Sequence, residues 1–159
     1  MIVDGFVRVA TAQTVTATAV SDNSVNLRTI RDIGVGCELF AVFTTTETVT
    51  AGGAATVTFE VIGATDAALT AGIVVLAASK AIGKASLVAD PTGKLNAAAT
   101  PIILKLPVDI GDLQALYTQY IGARFTIATG PLSTGKFNAD FVQNYQDGRR
   151  NYASGFAIL

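Results

Sequence analysis

The sequence contains no histidine, no tryptophan and a single cysteine, Cys37. Without histidine, the Ser-His-Asp and Cys-His nucleophile arrangements are excluded, as are metal sites with histidine ligands. One cysteine cannot form a disulfide within the chain, and we interpret Cys37 as a small buried apolar side chain. The acidic residues are dispersed, and no spacing indicates the facing carboxylate pair of a glycosidase. We therefore predict a non-enzymatic protein without a catalytic site, a bound metal or a cofactor.

Charge is also scarce, at 14% of the residues, while half of the residues are apolar and the mean hydropathy is +0.48. The formal net charge of −1 provides no field that would attract nucleic acid or an anionic membrane surface. The longest apolar runs, Ile73 to Ala78 and Pro101 to Leu104, are far shorter than the ~20 residues that span a bilayer. The N-terminus lacks a secretory signal pattern. We expect a soluble protein that assembles in the cytoplasm, with other subunits covering part of its surface.

The clearest pattern in the chain is an alternation of apolar and polar residues between Ile121 and Asn144. Apolar residues occupy every second position from Ile121 to Ile127 and from Phe137 to Phe141, which is typical of half-buried strands. Gly130 and Pro131 between them indicate a turn. We predict an antiparallel hairpin with one apolar face, covered by a second sheet, and with Lys136, Asn138 and Asp140 on its other face.

The other segments with strand character are short and are separated by turn signals. They give about seven or eight strands in all, which favours an all-β, two-sheet antiparallel β-sandwich, jelly-roll-like, with one or two short helical turns in a single domain, 1–159. We expect Ile73 to Ala78 to be buried, and helical turns at Thr65 to Leu69 and after Asp112. The segments are Thr14 to Val20, Val25 to Leu27, Glu38 to Thr45, Ala55 to Ile62, Ile73 to Ala78, Ser86 to Ala89 and Ile102 to Leu106.

Two regions contain candidates for a subunit interface. Both faces of the strand Glu38 to Thr45 are apolar, so Phe40 and Val42 are either contacts with another subunit or positions in a two-sided core. Residues 145–159 form a predicted C-terminal arm, in which the arginines could lie in a solvated tail, in a subunit contact or, less well supported, on nucleic acid. The interface candidates of the arm are Tyr145, Arg149, Arg150, Tyr152 and Phe156.

Four segments together resemble the capsid cement (decoration) proteins of tailed bacteriophages: Leu27 to Gly36, Gly63 to Asp66, Tyr120 to Val142 and Arg150 to Ile158. The resemblance covers nearly the whole chain and is weakest at 79–100. It implies a jelly-roll structural virion protein on the outer surface of an icosahedral phage head. Such a protein forms homodimers or homotrimers and stabilises contacts between capsomers of the major capsid protein.

The resemblance therefore implies two partners, the major capsid protein and further copies of the chain, and no nucleic acid or membrane. An alternative function is a stand-alone β-sandwich binding module, for example for carbohydrate. Such modules usually present a planar aromatic platform, and this chain has no tryptophan and four tyrosines. A lack of binding on a glycan array would count against this alternative.

Overall fold

A computed structural model describes residues 7–27, 38–89, 101–106 and 119–143. These residues form ten β-strands and one short 3-10 helix, Lys84–Ser86. The strands are β1 (Arg8–Thr14), β2 (Ala19–Val20), β3 (Val25–Asn26), β4 (Leu39–Thr50), β5 (Thr56–Ala64), β6 (Val74–Ala78), β7 (Ile82–Gly83), β8 (Ile102–Lys105), β9 (Tyr120–Ala128) and β10 (Thr134–Gln143).

The strands make two antiparallel sheets that pack face to face. The first sheet has the order β1-β10-β4-β8, and the second has the order β2-β9-β5-β6, with β3 also paired to β9 and β7 also paired to β5. Side chains from both sheets share one hydrophobic core. The predicted all-β sandwich is confirmed. Six of the nine connections between consecutive described strands cross from one sheet to the other, which fits a jelly roll.

The predicted hairpin at Ile121 to Asn144 is wrong, because its two strands lie in different sheets. β9 pairs with β5 in the second sheet, and β10 pairs with β4 in the first sheet. Thr129 and Gly130 both have positive φ in the connection, and the buried Leu132 closes the end of the core. Alternation correctly identified the apolar face of each strand. The two faces cover each other across the sandwich, with the rings of Phe125 and Phe137 stacked at 5.4 Å.

Three smaller expectations also differ from the structure. The predicted strand Thr14 to Val20 is divided, since β1 ends at Thr14 in the first sheet and β2 begins at Ala19 in the second. Ser86 to Ala89 is not a strand, because its first residue ends the 3-10 helix. Thr65 to Leu69 is a non-helical turn, in which Asp66 accepts hydrogen bonds from the backbone of Thr70 and Ala71. Most of the helical turn predicted after Asp112 lies outside the described residues.

Four phenylalanines form the centre of the core, two from each sheet. The ring of Phe59 contacts those of Phe43, Phe125 and Phe137, with centroid distances of 5.2, 5.9 and 5.2 Å. All four rings are fully buried. Their tilted and edge-to-face geometries are the favoured arrangements of aromatic pairs. The aromatic cluster therefore ties β4 and β10 of the first sheet to β5 and β9 of the second.

A second, smaller apolar cluster lies on the outer face of the second sheet. It consists of Ile62, Ala64 and Leu69, and it forms because the loop after β5 folds back over the sheet. Leu69 packs directly over Gly122 of β9. A Cβ at position 122 would overlap the Leu69 side chain and lie 2.9 Å from Ser21 Oγ. A glycine is required here by close packing on a strand, although Gly122 itself has no special backbone conformation.

Candidate subunit interface

Phe40 and Val42 lie on the outer face of the first sheet, since their neighbours Ala41 and Phe43 point into the core. Val42 pairs with Asp140 on one side and Ile103 on the other. Its side chain is only 1% exposed, so a two-sided core position accounts for it, and it has almost no surface for contact with another subunit. Phe40 is half-buried, and its role in a subunit contact stays a prediction.

Asp140 is a buried carboxylate on the same outer face, although the alternation of β10 assigned it to a solvated side. It is 3% exposed, and its two oxygens accept hydrogen bonds from Arg8 Nε at 2.6 Å and Nη2 at 3.3 Å. The hydrogen bond to Asp140 raises the pKa of Arg8 above its ordinary value, against the opposing effect of burial. This ion pair joins β1 to β10, and it occupies one edge of the outer face on which Val42 lies.

The arm candidates Tyr145, Arg149, Arg150, Tyr152 and Phe156 lie outside the described residues. Their role in a subunit contact therefore stays a prediction.

The described residues contain an exposed apolar surface that was not predicted from the sequence. Ile73, Val74 and Val75 begin or precede β6, and Ile103 belongs to β8; we call these four residues the apolar edge. β6 is the last strand of the second sheet, β8 is the last strand of the first sheet, and the two strands contact each other. The exposed fractions are 39%, 38%, 45% and 37% in chain order. Ile73 to Ala78 is thus not the buried strand that its composition suggested.

The side chains of β6 divide between the core and solvent because the strand carries a bulge. Val61 of β5 pairs with Ala77 and Ile62 pairs with Val75, so Leu76 is the additional residue between two registers. Leu76 and Ala77 both pack against the core, as consecutive residues can at a bulge. Val75 stands opposite Ile62 on the outer face and keeps the largest exposure of the four edge residues.

Two ion pairs lie on or next to the strands that neighbour the apolar edge. Glu38 and Lys105 form an exposed ion pair close to the end of β8. On the outer face of the second sheet, Glu60 accepts hydrogen bonds from Arg124 Nε at 2.5 Å and Thr126 Oγ1 at 2.7 Å. Burial opposes the ionisation of Glu60, but the hydrogen bonds from Arg124 and Thr126 and the charge of Arg124 outweigh it. The pKa of Glu60 is therefore held below its ordinary value of 4.5.

The lowered pKa of Glu60 predicts a loss of stability in acid. A carboxylate whose pKa falls on folding contributes stability above its unfolded pKa, and this contribution disappears as the pH falls through the folded pKa. From about pH 5 to about pH 3, wild type should lose about 1 kcal/mol or less more than Glu60→Gln. Urea unfolding at a series of pH values measures this difference. Parallel curves for the two proteins would contradict a role for Glu60 in acid sensitivity.

Across the described ranges, no three histidine, cysteine, aspartate or glutamate side chains come together as a metal site would require. In the same ranges, no helix has the length and apolar character needed to cross a membrane.

Comparison with protein families gives a match over most of the chain. The family model of Bbp16, a name of the bacteriophage type, matches residues 9–141, which extend from β1 to β10 and include both strands of the apolar edge. No curated protein matches the chain. The matched segment is most of the sequence, and the chain therefore belongs to the Bbp16 family.

Proposed function

We propose that the chain is a structural virion protein, a capsid cement or decoration protein that binds the outer surface of an icosahedral phage head. Its partners in this proposal are the major capsid protein and further copies of itself, and it acts through contact area without catalysis. The resemblance of four sequence segments to cement proteins motivates the proposal, and membership of a family with a phage-type name is compatible with it.

The observation that carries the proposal is the apolar edge. Four large aliphatic side chains are more than a third exposed on or next to the edge strands β6 and β8, and three of them, Ile73, Val74 and Val75, are consecutive. Grouped exposed apolar residues mark protein contacts, whereas scattered ones are ordinary. With charge at 14% of the residues, the chain has few charged groups with which to shield such an edge in an isolated subunit. The edge therefore supports a protein that functions in an assembly.

A cement protein stabilises its shell by linkage. Copies that bind the expanded shell and not the unexpanded one shift the equilibrium toward the expanded state. At a free concentration 100 times the dissociation constant, each independent site contributes about 2.7 kcal/mol. Repetition over the shell makes the total large even where a single contact is weak.

Sedimentation with purified shells of the parent phage tests the proposal. We expect the protein to co-sediment with expanded shells, to remain in the supernatant with unexpanded shells, and to raise the melting temperature of expanded shells. Binding to neither form of the shell, equal binding to both forms, or binding to a glycan array in place of the shell would overturn the cement function. An unrelated β-sandwich domain of similar size controls for trapping in the pellet.

A further inference from the structure

We propose that β6 pairs antiparallel with β6 of a second copy, so that the second sheets of two subunits join across a two-fold axis. The proposal names the self-contact of the cement protein and rests on the proposed function for the expectation of an oligomer. The free edge of β6, together with the exposed residues Ile73, Val74 and Val75, makes up the contact.

The backbone of β6 provides the first argument. Its one partner among the described strands is β5, so the opposite edge of β6 lacks a strand neighbour there. A strand edge presents backbone donors and acceptors in the spacing that another strand matches, and it is a template for pairing. Natural proteins usually protect such edges with charged residues or proline. The segment from Ile73 to Ser79 contains neither.

The side chains indicate that the occupant is a second copy. A two-fold contact places the same patch on both subunits, so the patch must be complementary to itself. A strand with charges of one sign would bring like charges face to face, whereas Ile73 to Ala78 is entirely apolar and meets its own copy without repulsion. Glu38 with Lys105 and Glu60 with Arg124 are paired within the subunit, and the exposed Lys80 lies two residues beyond the end of β6.

The geometry also limits the contact. The bulge at Leu76 bends β6, and we expect regular pairing over only a few residues. Ile103 of β8 lies outside this contact, because it pairs with Val42 on the outer face of the first sheet, whereas Val75 lies on the outer face of the second sheet. A short pairing with flanking apolar side chains gives a dimer that a single charge on the edge can disrupt.

Val75→Lys tests the pairing, with Val88→Lys as the matched control. Val88 is a valine of similar exposure, 36%, in the segment that hydrogen-bonds to β4 at Thr48 and Val49. Thr48 is six residues along β4 from Val42, the partner of Ile103, so the control lies about 20 Å along β4 from the pairing with β8, and it belongs to a segment that does not pair with β6. By analytical ultracentrifugation, we expect wild type and Val88→Lys to be dimers. The dissociation constant of Val75→Lys should rise about 100-fold.

Cross-linking provides a second measurement that does not depend on a disruptive variant. In a Cys37→Ala background, Val75→Cys should give a covalent dimer with a short bifunctional maleimide, and Val88→Cys should not. A monomeric or trimeric wild type, a Val75→Lys protein that dimerises normally, or equal cross-linking of the two cysteine variants would overturn the pairing. If the β6 pairing fails one of these tests but the protein still binds expanded shells, only the pairing is overturned. If the protein forms the β6-linked dimer but does not bind shells, only the cement function is overturned.

Discussion

Phe59→Ala is expected to lower the free energy of unfolding by about 3–5 kcal/mol, the usual cost of removing a buried phenylalanine side chain. Phe59 is fully buried and contacts the three other rings of the aromatic cluster. Its removal therefore leaves a cavity and also breaks three aromatic pairs, each of which contributes roughly 0.5–1.5 kcal/mol beyond its buried area. Because the cluster links both sheets, the loss should affect the whole sandwich.

Urea unfolding followed by circular dichroism measures the effect, and Phe40→Ala is the matched control. Phe40 is half-buried on the outer face of the first sheet, so truncating it should cost roughly half as much or less, in proportion to the apolar area that it buries. Equal losses for the two variants would mean that the aromatic cluster is not the centre of the core.

Alternation in the sequence predicted which side chains point inward but not which strands pair. Phe125 and Phe137 were correctly assigned to apolar faces, yet β9 and β10 belong to opposite sheets. A period of two fixes the face of each strand relative to its own backbone. Pairing within one sheet and packing between two sheets bury the same residues. A connection containing Gly130 and Pro131 suits either arrangement, so local sequence could not distinguish them.

The exposure of the apolar edge could not be predicted from the sequence, for a related reason. A short apolar run such as Ile73 to Ala78 is typical of a buried strand, and burial depends on the neighbours that the topology provides. Among the described strands, β6 has a sheet partner on one side only, and its bulge directs Leu76 and Ala77 to the core while Val75 faces outward. The scarcity of charge predicted that other subunits cover some of the surface, but composition does not show where on the chain that surface lies.

The burial of Asp140 could not be predicted from the alternation of apolar and polar residues either. Asp140 follows the alternation of β10 and was assigned to a polar face, yet it lies between Arg8 and Val42 with 3% of its side chain exposed. Its partner is 132 residues away in the sequence. A pairing of this separation depends on the order of strands in the sheet, which local sequence does not specify.

Arg8→Ala is expected to destabilise the protein by about 3 kcal/mol, because it leaves the buried carboxylate of Asp140 without its counter-charge. Truncation of the other partner, Asp140→Ala, should lower the free energy of unfolding by less than Arg8→Ala does. The Arg8 side chain is 32% exposed, so water can solvate a guanidinium that has lost its partner, whereas water cannot reach Asp140 in the same way. The asymmetry between the two single variants therefore reports which partner is desolvated.

Two further variants separate the ion pair from the general effect of removing a charge. Lys136 and Glu47 form an exposed pair at 2.8 Å on β10 and β4, and Lys136→Ala should cost at most about 1 kcal/mol. The double variant Arg8→Met, Asp140→Leu replaces the buried pair by apolar groups and should recover to within about 1 kcal/mol of wild type. If the double variant is instead as unstable as Arg8→Ala, the ion pair stabilises the fold outright, and desolvation of Asp140 is not the cause of the loss.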